Sequence, residues 1–211
     1  MSEMIDFYFD FGSPNAYLCL RALPAIEARI GKVVTIKPVL LGGVFKATNN
    51  RSPVEAFAGI PAKLAYDRME IERFCERHGI TAFKFNPFFP INTLILMRGA
   101  HAAAKLGVLD RYVEAVASAM WERELNAGDS QVLATILTEE GLPAEDLFRE
   151  AQTPEVKQAL IDATQELIDR GGFGIPTFFV GEEMFFGKDR LREVEDEFVR
   201  QRPAPGSISP R

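Results

Sequence analysis

Cysteine is nearly absent from this chain: Cys19 and Cys75 stand far apart, and neither belongs to a Cys-x-x-Cys pair. That rules out exchange through a local dithiol and makes a reducing cytoplasm the natural compartment. Histidine is equally scarce, with two residues and no cluster of ligand types, so no spacing suits a metal site. Basic residues are outnumbered, 24 Lys and Arg against 30 Asp and Glu, for a net charge of −6. A nucleic-acid partner would demand the opposite balance. No long hydrophobic run is present either. The most apolar stretch, Ile91 to Leu106, carries Arg98, His101 and Lys105, which reads as a buried helix and argues against membrane association. The first residues are acidic and lead straight into a strand pattern, so no secretory leader is expected.

What is present is ordinary for a globular chain: 47% hydrophobic and 26% charged over 211 residues. That length suits one large domain, or a core domain with an insertion. Ile5, Phe7, Phe9 and Phe11 alternate with Asp6, Tyr8 and Asp10, the period of a strand. Ser13 as cap and Pro14 in the first turn predict a helix to about Arg29, stopped by Gly31. A second strand is predicted over Val33 to Leu41, parallel to the first. From Gly42 to about Arg170 the pattern is helical. Helices are predicted over Ala62–His78, Ile91–Leu106 and Asp110–Leu125, around Val132–Leu137, and after the Thr153-Pro154 start. Beyond Gly171-Gly172, a strand from Pro176 to Val180, a turn at Gly181-Glu182 and a strand from Met184 to Phe186 form a hairpin. A helix from Arg190 to Arg200 closes the chain, and residues 202–211 read as a disordered tail.

A βαβ unit followed later by a hairpin and helix, with an X-Pro before the hairpin, is the plan of the thioredoxin fold. The expected fold is therefore α/β and thioredoxin-like, with a large all-helical insertion between the βαβ and ββα halves. Residues 1–44 and 171–201 form the thioredoxin-like part and 45–170 the insertion. Ser13-Pro14-Asn15-Ala16 takes the place of a Cys-Pro-x-Cys, at the start of the first helix. A disulfide oxidoreductase is thereby nearly excluded. A helix N-terminus favours an anion by roughly 0.3–2 kcal/mol, and a charge-assisted hydroxyl hydrogen bond adds about 1.5–3 kcal/mol. Together they would lower the pKa of a thiol supplied from outside by on the order of 2 units. Glutathione is the abundant cytoplasmic thiol. Taken alone, Ser-Pro is a common helix start that needs no function, and most X-Pro bonds are trans.

Three separated runs carry more. Asp6-Phe7-Tyr8-Phe9-Asp10-Phe11-Gly12-Ser13-Pro14, Gly172-Phe173-Gly174-Ile175-Pro176-Thr177-Phe178 and Phe186-Gly187-Lys188-Asp189-Arg190-Leu191 resemble the 2-hydroxychromene-2-carboxylate isomerase family. That family is close to the kappa-class glutathione transferases within the DsbA-like group. The resemblance implies a glutathione-dependent isomerase acting on aromatic-pathway acids, of the kind met in aromatic hydrocarbon breakdown, and a homodimer. Ser13 matches the catalytic serine that hydrogen-bonds the glutathione sulfur. Ile175, before a cis Pro176, would pair its backbone with the cysteinyl unit. Gly187, Lys188 and Asp189 match the segment for the γ-glutamyl end, while Asn50 and Lys63 would hold the other end. Phe45 and Asn92 are candidates to line the substrate pocket. Lys188 departs from the small or amide residues frequent at its position. Two further readings stay open: a transferase that forms stable conjugates, and a non-catalytic thioredoxin-fold module that binds glutathione.

Overall fold

A computed structural model of the protein describes residues 4–201; the predicted disordered tail lies outside these residues. The strand β1 (Ile5–Phe9) occupies the middle of a four-stranded sheet of order β2-β1-β3-β4. It runs parallel to β2 (Thr35–Pro38), with Phe7 opposite Ile36, and antiparallel to β3 (Thr177–Val180), with Phe7 opposite Phe178. The edge strand β4 (Glu183–Phe186) pairs antiparallel with β3. The helix α1 (Pro14–Ile30) joins β1 to β2. Its ends are those the residues dictate: Ser13 Oγ accepts the Ala16 N–H, and Gly31 closes the helix in the left-handed region at φ 65°.

Between β2 and β3 the chain is helical: α2 (Leu41–Thr48), α3 (Pro53–Ala56), α4 (Pro61–His78), α5 (Leu94–Lys105), α6 (Leu109–Trp121), α7 (Ser130–Glu139), α8 (Ala144–Ala151) and α9 (Pro154–Asp169). The last helix described, α10 (Leu191–Gln201), follows the hairpin and packs on α1 and β3. Local signals set several starts. Ser52 and Glu55 form a capping box, Asp129 caps α7, and Thr153 caps α9. The architecture is the thioredoxin-like sheet with a helical insertion that the pattern predicts.

One strand and three helices differ from expectation. The predicted strand over Val33–Leu41 shrinks to four residues, because Pro38 has no N–H and Leu41 already opens α2. The helices α2, α3 and α8 have no individual counterparts among the predicted ones, and α8 shows why. Its apolar residues Ala144, Leu147, Phe148 and Ala151 stand at helical spacing, but over only two turns.

Both faces of β1 are covered. Phe7 stacks on Phe178 at 4.6 Å and meets Phe9 edge-on, and Phe9 in turn meets Phe11. On the other side Arg170, at the end of α9, lies 3.7 Å from the Phe179 ring centroid. It donates to Asp6 Oδ2, to the Tyr8 hydroxyl and to the Gly181 carbonyl. Burying each phenylalanine is worth about 1.5–3 kcal/mol. The indole N–H of Trp121 donates to the Phe11 carbonyl at 2.9 Å. This bond fastens the end of α6 to the turn that carries Ser13.

Candidate active site

The turn between β1 and α1 is short and fully engaged. Ser13 N–H donates to the Asp10 carbonyl at 3.1 Å, which closes the turn. The Ser13 side chain is buried, and its hydroxyl donates to the Ile175 carbonyl at 3.1 Å. The Ile175–Pro176 bond is cis, as the resemblance implies. The Pro176 carbonyl accepts from Gly187 N–H at 2.9 Å, and Thr177 Oγ1 donates to the Gly174 carbonyl. Gly187 takes φ 96°, where a side chain would be strained. Ser13, Ile175, Pro176 and Gly187 are thus joined by direct bonds across 174 residues of sequence separation.

Asn50 joins this group at one remove. Its amide donates to the Phe173 carbonyl at 2.8 Å, and Phe173 packs on Phe186 with centroids 4.6 Å apart. Gly174 leaves room for that pair, since a Cβ there would lie 2.8 Å from the Phe186 ring. Phe45 sits on α2, half-buried, and its carbonyl accepts the Asn50 N–H. Asn92 is exposed and uses Oδ1 to accept the Leu94 N–H at the start of α5. Lys63, in the first turn of α4, is bonded to Asp67 and lies over the Phe57 ring.

Lys188 and Asp189 face elsewhere. The Lys188 side chain is almost wholly buried; its ammonium meets Asp189 Oδ1 at 2.6 Å and the Phe74 ring at 5.2 Å. Both line a cleft of about 570 Å³ with Ile26 and Arg29 of α1, Phe74 and His78 of α4, and Arg192 of α10. None of Ser13, Asn50, Lys63, Ile175 or Pro176 lines it.

The donor set around Ser13 suits an anionic sulfur. The hydroxyl is a neutral donor at a helix N-terminus, and the Ile175 N–H donates to no group among the described residues. Asn15 Oδ1, in the first turn of α1, is buried without a hydrogen-bond partner. The chain's own thiols are poor substitutes. Burial pushes the Cys19 thiol well above its ordinary range, and Cys75 is raised for the same reason.

One residue escaped the sequence reading. Asp10 looks like an alternating polar position of a strand, yet it is fully buried directly under Ser13. Its carboxylate accepts from Gly12 N–H at 2.8 Å and Leu41 N–H at 2.7 Å. The available signal was a charge wedged between two phenylalanines next to Gly12-Ser13.

Comparison with known proteins bears on the fold and the family. A curated 2-hydroxychromene-2-carboxylate isomerase from Pseudomonas putida is 28% identical, covering 93% of this chain and 95% of that protein. A glutathione S-transferase kappa 1 from Caenorhabditis elegans is 24% identical, covering 97% and 94%. A solved 2-hydroxychromene-2-carboxylate isomerase structure superposes with a TM-score of 0.80 at 25% identity, covering 93% of this chain and 95% of that one. The family description "DSBA-like thioredoxin domain" matches residues 4–199. With nearly the whole of the described chain inside that match, the protein belongs to the DSBA-like thioredoxin domain family.

Proposed function

We propose that this protein is a glutathione-dependent isomerase of aromatic-pathway acids, of the 2-hydroxychromene-2-carboxylate type, with the glutathione sulfur held over Ser13. The observation that carries the reading is the Ser13 hydroxyl at the N-terminus of α1, 3.1 Å from the Ile175 carbonyl beside cis Pro176, in a site without cysteine. Bound glutathione would supply a thiol nucleophile able to add reversibly to a conjugated acid and leave again. Ser13 would turn its proton from the Ile175 carbonyl toward the sulfur and stabilise the charged form. Ile175 would offer its free N–H and its released carbonyl to the cysteinyl backbone, a short strand addition. Asn50 and Lys63 would take one end of the tripeptide, with Gly187 at the other, where Lys188 and Asp189 would contribute backbone groups, their side chains being turned into the neighbouring cleft. Phe45 and Asn92 would face the second substrate. On this reading the protein works in the cytoplasm as a homodimer.

The test is a pH titration of thiolate absorbance with bound glutathione, comparing wild type with Ser13→Ala. A bound thiol pKa well below that of free glutathione, lost in the variant, is the expected result. Absence of binding or of a shift would sink the reading. The kappa-class relative favours one second reading, a transferase that releases stable conjugates. Product analysis separates the two: an isomerase leaves the glutathione concentration unchanged, whereas a transferase consumes it.

A further inference from the structure

The helix that carries Phe45 lacks a cap of its own, and the start of α5 beside Asn92 is capped by Asn92 and not by Thr93. The residue before α2 is Leu40, which has no side chain to offer, and its own N–H is taken by Thr164 Oγ1. Thr93 precedes α5 but makes no capping bond, the Leu94 N–H being taken by Asn92 Oδ1, and the Thr93 hydroxyl faces the Asp10 carboxylate. Asp10 fills the gap at α2 and ties it to the Ser13 turn. One carboxylate oxygen takes the first N–H of α2 at Leu41, and the other takes Gly12 in the Ser13 turn. Gly12 is pinned between these partners: a Cβ there would lie 3.2 Å from Thr93 Cγ2 and 3.3 Å from Asp10 Oδ1.

The carboxylate has no ion-pair partner among the described residues. A buried carboxylate held only by hydrogen bonds is costly unless each lone pair is used. Here the Gly12 and Leu41 N–H groups take one oxygen each and the Thr93 hydroxyl faces the pair, each from a different part of the site. Gly12 leads into Ser13, Leu41 into the helix of Phe45, and Thr93 follows Asn92 directly. The reacting thiol and the second substrate would therefore be held on segments whose common anchor is one side chain. A displacement of about 1 Å between reacting groups can cost about a hundredfold in rate.

We propose that Asp10 is a positioning residue, which fixes the Ser13 turn against the segments of Phe45 and Asn92 and so sets the gap in which substrate meets thiol. The proposal rests on the glutathione reading of the site, but Asp10 itself touches neither reactant. Its signature is a split. Asp10→Asn keeps the carboxylate's shape, yet turns an amide N–H₂ toward one of the three donors. The expected outcome is a fall in kcat/KM for a benzylidene-pyruvate-type acid by roughly tenfold to a hundredfold. Glutathione affinity should stay within about threefold and the bound thiol pKa within about half a unit, since Ser13 and Ile175 are untouched. Amide exchange at Leu41 and Gly12 should quicken by about tenfold relative to core amides of β1.

A folded Asp10→Asn with kcat/KM within about threefold of wild type, or with unaltered exchange at both amides, overturns the proposal alone. Wild type that binds no thiol overturns it together with the reading of the site. Should Asp10→Asn fail to fold, Thr93 decides. Thr93→Val should lower kcat/KM by about fivefold or more, and Thr93→Ser, which restores the hydroxyl, should recover it. Equal activity of the two Thr93 variants overturns the proposal.

Discussion

At the N-terminal end of α1 the polar groups gathered are a buried hydroxyl, backbone N–H donors and a cis peptide, with the Asp10 carboxylate held by hydrogen bonds. Along the cleft that reaches its C-terminal end the charges come in pairs: Arg29 grips Glu195 through two bonds, Lys188 meets Asp189, and Arg192 lies 3.8 Å from Asp196. The first end has no counter-charge to satisfy an anion, and only aligned neutral dipoles to offer one. The second has its charges already matched. A helix thus presents a receptive end and a self-neutralised end, and the chemistry is expected where nothing has yet been neutralised.

The largest effect should come from removing the receptive end's donor. Ser13→Ala is expected to raise the bound thiol pKa by about 1–2 units and to lower kcat/KM by roughly tenfold to a hundredfold, since a hydrogen bond to a charged group is worth about 1.5–3 kcal/mol. Spectrophotometric titration and initial rates check it, and an unchanged pKa would abolish the contrast between the two ends.

Next comes the loop that brings Ile175 to Ser13. A Cβ at Gly172 would lie 2.2 Å from Leu167 Cδ1 and 2.9 Å from the Leu167 carbonyl, so relief would require backbone movement. Gly172→Ala should destabilise the fold by about 1–3 kcal/mol, read by denaturant titration. If its stability matches wild type, the loop is not held against α9 as described.

At the opposite end, Lys188→Met keeps the stem that packs under Phe74 and removes the ammonium, leaving the exposed Asp189 to water. Stability should change by no more than about 1 kcal/mol. The bound thiol pKa should not move. A shift there would show that the two ends act together and would break the comparison.

The smallest effect is a titration. His78 is held below the ordinary imidazole range, first by burial and then by Arg77, Arg29 and Lys188. With a depressed folded pKa, the unfolded chain binds the proton first as pH falls. His78 therefore contributes stability that is complete above about pH 6.5 and is lost as pH drops toward the folded value. In Lys188→Met one repelling cation is gone, so the His78 pKa measured by NMR should rise.

Much of this was legible because it rests on local chemistry. The Ser13-Pro14 start, the Gly31 stop and the stripe Tyr112, Val113, Val116, Met120 and Trp121 are all found where their neighbours in sequence require. The hairpin and the inward set Leu191, Val194 and Phe198 follow equally from period and turn residues. Other features resist such reading. Asp10 is indistinguishable in sequence from a solvated strand residue, because its partners Leu41 and Thr93 are remote. Lys188 reads, by resemblance, as part of the γ-glutamyl segment, and its enclosure by α1, α4 and the turn before α10 is invisible in sequence.

By itself the sequence determined the elements and their caps, the absence of a cysteine pair at the first helix start, and the thioredoxin-like order of strands. Those properties depend on residues within a few positions of one another, where sterics and hydrogen-bond reach are fixed by the chain. Only the tertiary structure decided that Ser13 would meet the Ile175 carbonyl, that Asp10 would anchor three segments, and that Lys188 would turn away from both. Each is a contact between distant parts of the chain, and which polar groups must satisfy one another is settled only when packing has excluded water from between them.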